Sequence, residues 1–165
     1  LGKGSTFIVT LKHKIADACY YVKEKNENSD LDYEGLDGKH ILLAEDNDLN
    51  AEIAVTILER VGLQVDRVEN GIECVNRIIG KPAGTYDLIL MDIQMPNMNG
   101  YLATQKIRTI PEKNTIPIIA MSANAFDEDK KQALNAGMDG YISKPIDMDK
   151  LQSQIIEILK EKAGN

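Results

Sequence analysis

The sequence has no tryptophan, and its only aromatic residues are six Tyr and two Phe. With hydrophobic residues at 43% of the chain, a core built from it is large but aliphatic. No apolar run reaches the roughly 20 residues of a membrane span. No apolar stretch near the start leads into a small-residue cleavage site, so no signal peptide is read. The two cysteines, Cys19 and Cys74, are far apart and lack metal-type spacing. They fit reduced thiols in a cytoplasmic protein better than a disulfide framework. The two histidines, His13 and His40, have no ligand-spaced partners and read as surface residues. Positive charge is also short: 19 basic against 26 acidic residues leave a net charge of -7. Phosphate backbones are bound by clustered Lys and Arg, so direct contact with nucleic acid is not expected.

The 165 residues suffice for one ordinary domain and a leader. The leader, residues 1–25, holds a β-rich run through Phe7-Ile8-Val9. A short amphipathic stretch follows, with Ile15, Ala18, Cys19 and Val22 on one helical face. A lone strand cannot bury itself, so this one either pairs elsewhere, a second copy in a dimer being one option, or stays loose. Residues 26–38 are polar and charged and read as a solvated linker.

From Lys39 the texture changes. Short apolar runs at 41–44, 63–68, 86–91, 116–121 and 140–143 read as strands. Helical periodicity fills the gaps. The helix over 49–61 carries Ile53, Ala54, Ile57, Leu58 and Val61, stops at Gly62, and is capped by Asp46 or Asp48. A second helix opens at Asn70-Gly71 with Ile72, Val75, Ile78 and Ile79 inward, and breaks over 80–84. Others span 101–109, 126–136 and 148–160. Five strand–helix alternations imply α/β architecture: a doubly wound five-stranded parallel sheet, order 2-1-3-4-5, over residues 39–162.

Four of these strands end on groups that chemistry uses. The first ends at Glu45-Asp46, the third at Asp92, the fourth at Ser122 and the fifth near Lys144. Parallel strands bring such ends to one edge, where open sheets bind ligands. Two carboxylates about 4 Å apart repel by roughly 4 kcal/mol at an effective dielectric of ~20. Three together recruit cations or raise a pKa. Lys144 offsets one charge, and an all-oxygen donor set suits Mg²⁺, or Mn²⁺ in its place. Such a site is equipped for phosphoryl transfer to a carboxylate. Asp92 would attack in line, Ser122 would donate a hydrogen bond, and Lys144 would neutralise phosphoryl oxygens.

Four segments carry a family resemblance. They are Leu42-Leu43-Ala44-Glu45-Asp46-Asn47, Leu90-Met91-Asp92-Ile93-Gln94-Met95-Pro96, Met121-Ser122-Ala123-Asn124-Ala125 and Gly140-Tyr141-Ile142-Ser143-Lys144-Pro145. In order and spacing they resemble a receiver domain of two-component signalling. The wording is most similar to receivers at the C-terminus of hybrid sensor histidine kinases. The resemblance implies that Asp92 accepts a phosphoryl group from a phosphohistidine, on a histidine-phosphotransfer protein or a kinase domain. It implies direct Mg²⁺ ligation by Asp46 and Asp92, by the Gln94 backbone carbonyl, and through water by Glu45. Ser122 and Lys144 would hold the phosphoryl oxygens. Ser122 and Tyr141 would form the switch, and Lys144-Pro145 would be cis. Docking would use the first helix around 50–58 and the loop after Pro145. Gly2-Lys3-Gly4-Ser5-Thr6-Phe7 is similar to the end of a histidine-kinase ATP-binding domain. A remnant of that size cannot hold ATP, so no histidine autophosphorylation is expected of this chain. The parent would be a membrane-anchored or cytoplasmic kinase, with this segment cytoplasmic and out of contact with the membrane.

Two other functions draw on overlapping residues. A haloacid-dehalogenase-type phosphatase also uses Asp, Ser or Thr, Lys and Mg²⁺. Its nucleophile would lie on the first strand with a second Asp two residues later, where this chain has Glu45-Asp46-Asn47. A stand-alone or non-phosphorylated receiver-like binding module would be silent toward a phosphodonor, or yellow if it held a flavin. No Ser/Thr/Gly-rich phosphate loop follows the first strand to support the flavin case.

Overall fold

A computed structural model describes residues 36–123 and 127–163. Its strands are β1 (His40–Ala44), β2 (Gln64–Val68), β3 (Leu88–Asp92), β4 (Ile118–Ser122) and β5 (Gly140–Ser143). They alternate with α1 (Asp48–Glu59), α2 (Gly71–Gly80), α3 (Gly100–Arg108), α4 (Asp127–Ala136) and α5 (Met148–Ala163). All four pairings are parallel, and the strand order is β2-β1-β3-β4-β5. This is the doubly wound sheet that the alternation implies. The leader's strand and helix, with His13, Cys19 and the dimer contact expected of them, lie outside the described residues.

Side chains alternate across a strand, so each central strand feeds two cores. Leu42, Ala44, Ile89, Met91, Ile118 and Ala120 point to one face, against Cys74, Val75 and Ile78 of α2 and Ala103 and Ile107 of α3. Ile41, Leu43, Leu88, Leu90, Ile119 and Met121 point to the other, against Ala51, Ala54 and Leu58 of α1 and Leu151 and Ile155 of α5. The strands are aliphatic on both faces because helices cover both.

Helix starts are set by asparagine. Asn47, Asn70 and Asn99 cap α1, α2 and α3, each side chain accepting the N–H three residues on. The cap of α1 is therefore Asn47, not Asp46 or Asp48. Asp48 falls in the first helical turn, and Asp46 is left to the site. After α1, Gly62 adopts φ +86, and its carbonyl accepts the Gly38 N–H at 2.9 Å.

Helix phase differs from the sequence expectation at three isoleucines. The buried face of α1 is Ala51, Ala54 and Leu58, and Ile53 points away from it, 48% exposed. Two alanines let this helix lie close to the sheet, which selects that face over the bulkier one. On α2 the buried line is Gly71, Cys74, Val75 and Ile78. At roughly 100° per residue, Ile72 and Ile79 fall on its flank and stay exposed. The linker also ends earlier than its composition indicates, since Leu36 is buried in the core and its carbonyl accepts the Lys39 N–H. Cys74 is fully buried, and burial pushes its thiol up to about 12.

Candidate functional site

With five parallel strands, the carboxyl ends share one edge. Glu45 and Asp46 follow β1, Asp92 ends β3, Ser122 ends β4 and Lys144 follows β5. Glu45 and Asp92 are buried, whereas Asp46 is exposed. One carboxylate oxygen from each of the three acids lies within 4.8 Å of the others. The Lys144 ammonium sits between two of them, 2.6 Å from Glu45 Oε2 and 2.7 Å from Asp92 Oδ2. Asp92 Oδ1 accepts the Gln94 N–H at 3.1 Å, so both of its oxygens are held in place.

Several contacts fix these groups. The Lys144 N–H donates to the Ser122 carbonyl at 2.6 Å, and the Lys144–Pro145 peptide is cis, as the resemblance implies. Gly100 packs directly under the Asp92 backbone. A Cβ there would collide with the Asp92 carbonyl and the Met91 side chain. Ser122 is buried one residue beyond Met121, the β4 partner of Asp92. Tyr141 lies opposite Ala120 on β5 and is half-buried against the core on the α2–α3 side. Thus Glu45, Asp46, Asp92, Gln94 and Lys144 form one contact cluster, while Ser122 and Tyr141 are placed by register on the neighbouring strands.

Electrostatics at the cluster favour added positive charge. Burial raises the Asp92 carboxyl above its ordinary value, the Glu45 charge adds to this, and the bond and charge of Lys144 oppose it incompletely. Burial alone would lower Lys144, but its bonds to Asp92 and Glu45 outweigh burial and raise it. The lysine is thus firmly an ammonium. Three acids and one ammonium carry a formal charge of -2 when all are ionised. The donor atoms are hard carboxylate oxygens, which fits Mg²⁺ and offers nothing to a thiolate-seeking metal.

Three side chains have roles the sequence alone did not reveal. Asn50, one turn into α1, donates from Nδ2 to the second Glu45 oxygen at 3.1 Å. Arg67 on β2 reaches the backbone beside the acids. His40 is not a plain surface residue. Its ring packs 4.7 Å from that of Tyr86, and its Nε2 lies 3.5 Å from Asp66. Local pattern does not expose these, because each partner lies on a different element. An isolated Arg near the end of a strand next to β1 is the one signal that could have pointed to Arg67.

Beside the cluster is an apolar rim. Leu49 and Ile53 are exposed, and Asn50, Ile53, Lys144, Pro145 and Ile146 line a cavity of about 130 Å³. A cleft of about 180 Å³ lies at the opposite sheet edge, among Ile78, Tyr86 and Pro117. There the Lys113 ammonium donates to the Ile78, Ile79 and Lys81 carbonyls, closing the end of α2. The acid cluster, not this cleft, holds the convergent chemistry. Among the described residues, no helix is long and apolar enough to cross a membrane.

Known proteins share this fold. Residues 41–156 match the family described as response regulator receiver domain. Hybrid signal transduction histidine kinase L of Dictyostelium discoideum is 39% identical over 142 residues, covering 84% of this chain. The match spans only 8% of that kinase's length. Among solved structures, the receiver domain of sensor histidine kinase PA1611 from Pseudomonas aeruginosa PAO1 has magnesium coordinated in its active site cleft. It superposes with a TM-score of 0.69 at 36% identity, over 74% of this chain and 98% of that one. The receiver domain of Ssk1 from Saccharomyces cerevisiae, co-crystallised with the histidine phosphotransfer protein Ypd1, gives a TM-score of 0.70 at 28% identity, over 78% and 93%. On its fold, its matched segment and these relatives, the chain belongs to the response regulator receiver domain family.

Proposed function

We propose that this chain is the receiver of a phosphorelay within a hybrid sensor histidine kinase, and that Asp92 is its phosphoacceptor. The observation that carries the reading is the Asp92 carboxylate. It lies at the carboxyl end of β3, oriented by Gln94 and Lys144, within 4.8 Å of two further acids. The donor would be a phosphohistidine on a histidine-phosphotransfer protein or a kinase domain. An Asp92 oxygen forms the new O–P bond as the N–P bond of the donor breaks. The leaving imidazole takes up a proton from solvent.

Each neighbour has a part in that step. Asp46 and Asp92 would hold Mg²⁺, or Mn²⁺, directly, with the Gln94 carbonyl, and Glu45 through water. When bound, the ion supplies positive charge against the oxygens of the transferring group. Glu45, held by Asn50, keeps Lys144 in position. Lys144 turns from Asp92 to a phosphoryl oxygen, and Ser122 donates a hydrogen bond to another. Withdrawing the Ser122 hydroxyl toward the phosphoryl group lets Tyr141 turn inward, a two-state element that the acyl phosphate biases. The exposed Leu49 and Ile53, with Pro145 and Ile146, offer an apolar docking surface for the phosphotransfer partner. Residues 1–25 would be the remnant of the kinase ATP-binding domain and 26–38 the linker, adjusted by the burial of Leu36.

The test is acetyl phosphate with MgCl₂, followed by intact-protein mass spectrometry. Wild type gains one phosphate, chelator abolishes the gain, and Asp92→Asn shows none. An Asp92→Asn variant phosphorylated as readily as wild type would falsify the assignment. Turnover of p-nitrophenyl phosphate would point instead to a phosphatase.

A further inference from the structure

Arg67 lies near the carboxyl end of β2, opposite Leu43 of β1. Its Nε donates to the Glu45 carbonyl at 3.1 Å and its Nη2 to the Asp46 carbonyl at 3.3 Å. Nη2 also pairs with Asp48 at 2.8 Å. Those two carbonyls belong to the peptide planes on either side of the Asp46 Cα. A peptide unit is planar, so holding both planes fixes φ and ψ of Asp46. The sheet does not do this, because the last bond tying this segment to β2 is Glu45 N–H to the Val68 carbonyl, at 3.0 Å. Asp46 is exposed, so packing holds its side chain less than that of Glu45 or Asp92.

We propose that Arg67 is a positioning residue for the acid cluster: its guanidinium fixes the backbone of Asp46 and so aims that carboxylate at Glu45 and Asp92 for divalent-cation binding. The inference rests on the reading of Asp46 as a cation ligand. A positive charge beside a cation site would ordinarily weaken it. Here Asp48 offsets that charge, and the pair orders the acidic loop with no net charge of its own. Lysine cannot replace the guanidinium, because one ammonium does not reproduce a planar fork spanning two carbonyls and a carboxylate.

The test uses the full chain and two substitutions, Arg67→Met and Arg67→Lys. Mg²⁺ affinity is measured by calorimetry and stability by urea unfolding in chelator. Arg67→Met weakens Mg²⁺ binding about tenfold, the scale of losing an outer-shell support. Its urea midpoint in chelator moves little, since the side chain sits at the sheet edge. Arg67→Lys keeps the charge yet still loses about threefold or more in affinity, and it serves as the reference if the Met variant does not fold. Unchanged or tighter binding in Arg67→Met, or wild-type binding in Arg67→Lys, overturns the inference. Wild type and Asp46→Asn are run alongside. If wild type fails to bind Mg²⁺, or Asp46→Asn binds as well as wild type, the fault lies in the ligand assignment and not in Arg67.

Discussion

Replacing Lys144 by methionine isolates the electrostatics of the acid cluster, because methionine keeps most of the buried stem and removes only the ammonium. In the native site that ammonium lies 2.6 Å from Glu45 and 2.7 Å from Asp92, and both carboxylates are nearly inaccessible to water. Without it, two acids with oxygens within 4.8 Å face one another unshielded. At that spacing their repulsion is about 3.5 kcal/mol at an effective dielectric of ~20. Breaking a buried pair by deleting one partner costs about 3–5 kcal/mol, a range that contains this figure. In a domain of this size the loss lowers the melting temperature by on the order of 10–20 °C. The sign of the pH dependence follows from Asp92, whose carboxyl is already raised by burial and rises further without Lys144. A raised acid is penalised only when ionised, so the loss is larger at high pH and shrinks as pH falls toward the ordinary carboxylate range near 4. Thermal unfolding followed by circular dichroism in chelator, at about pH 8 and about pH 5, reads both effects. Saturating MgCl₂ at about pH 8 recovers part of the loss, since a cation replaces the missing charge. An unchanged melting temperature in chelator, or a loss equal at both pH values, refutes the reasoning.

Two other positions give sharp outcomes. Asp66 accepts from the Tyr86 hydroxyl at 2.5 Å, and this bond, with the charges of His40 and Arg77, holds its carboxyl below the ordinary value despite partial burial. A depressed acid contributes stability above its unfolded pKa near 4 and loses it as pH falls through the folded value. Asp66→Asn therefore costs about 1 kcal/mol near neutrality, after allowing for its partial exposure, and flattens the acid side of the urea-midpoint profile. Parallel acid limbs in wild type and variant would contradict this. Gly100→Ala forces a methyl group into the Asp92 carbonyl and the Met91 side chain, and strains the Gly100 N–H bond to the Ile93 carbonyl at 3.0 Å. Urea unfolding should show a loss of about 1–3 kcal/mol, typical of overpacking. A variant as stable as wild type would mean that the β3–α3 turn yields more easily than its packing indicates.

The sheet and the convergence of its acids were legible because they rest on local pattern. Short aliphatic runs alternate with helical periodicity, and that alternation allows few topologies. Once the strands are parallel, Glu45, Asp46, Asp92, Ser122 and Lys144 share an edge whatever the details of packing. Helix phase was less legible. Ile53, Ile72 and Ile79 are as apolar as the residues that are buried, and periodicity alone does not say which stripe meets the sheet. On α1 the answer depends on Ala51 and Ala54, whose small size permits close approach, a fact about the partner surface as much as the helix. The cap of α1 was less legible for a related reason. Asp46, Asn47 and Asp48 are all competent N-caps, and it is Asn47 that has the extended backbone of a cap and accepts the Asn50 N–H.

The same distinction separates the groups that do chemistry from the groups that hold them. A group proposed to react is announced by its type at a strand end, and Asp92 after four apolar residues is conspicuous. A supporting group is defined by its partner, and that partner can lie far off in sequence: Arg67 meets the Glu45 carbonyl across 22 residues. Arg67 shows the consequence most clearly. Besides Asp48, its contacts are the Glu45 and Asp46 backbone carbonyls, which every residue carries, so its place near the end of β2 is the one sequence signal of them. A substitution at such a position can leave all three acids in place and still misdirect one of them, because the site depends on the direction of the Asp46 backbone as well as on the carboxylate it carries.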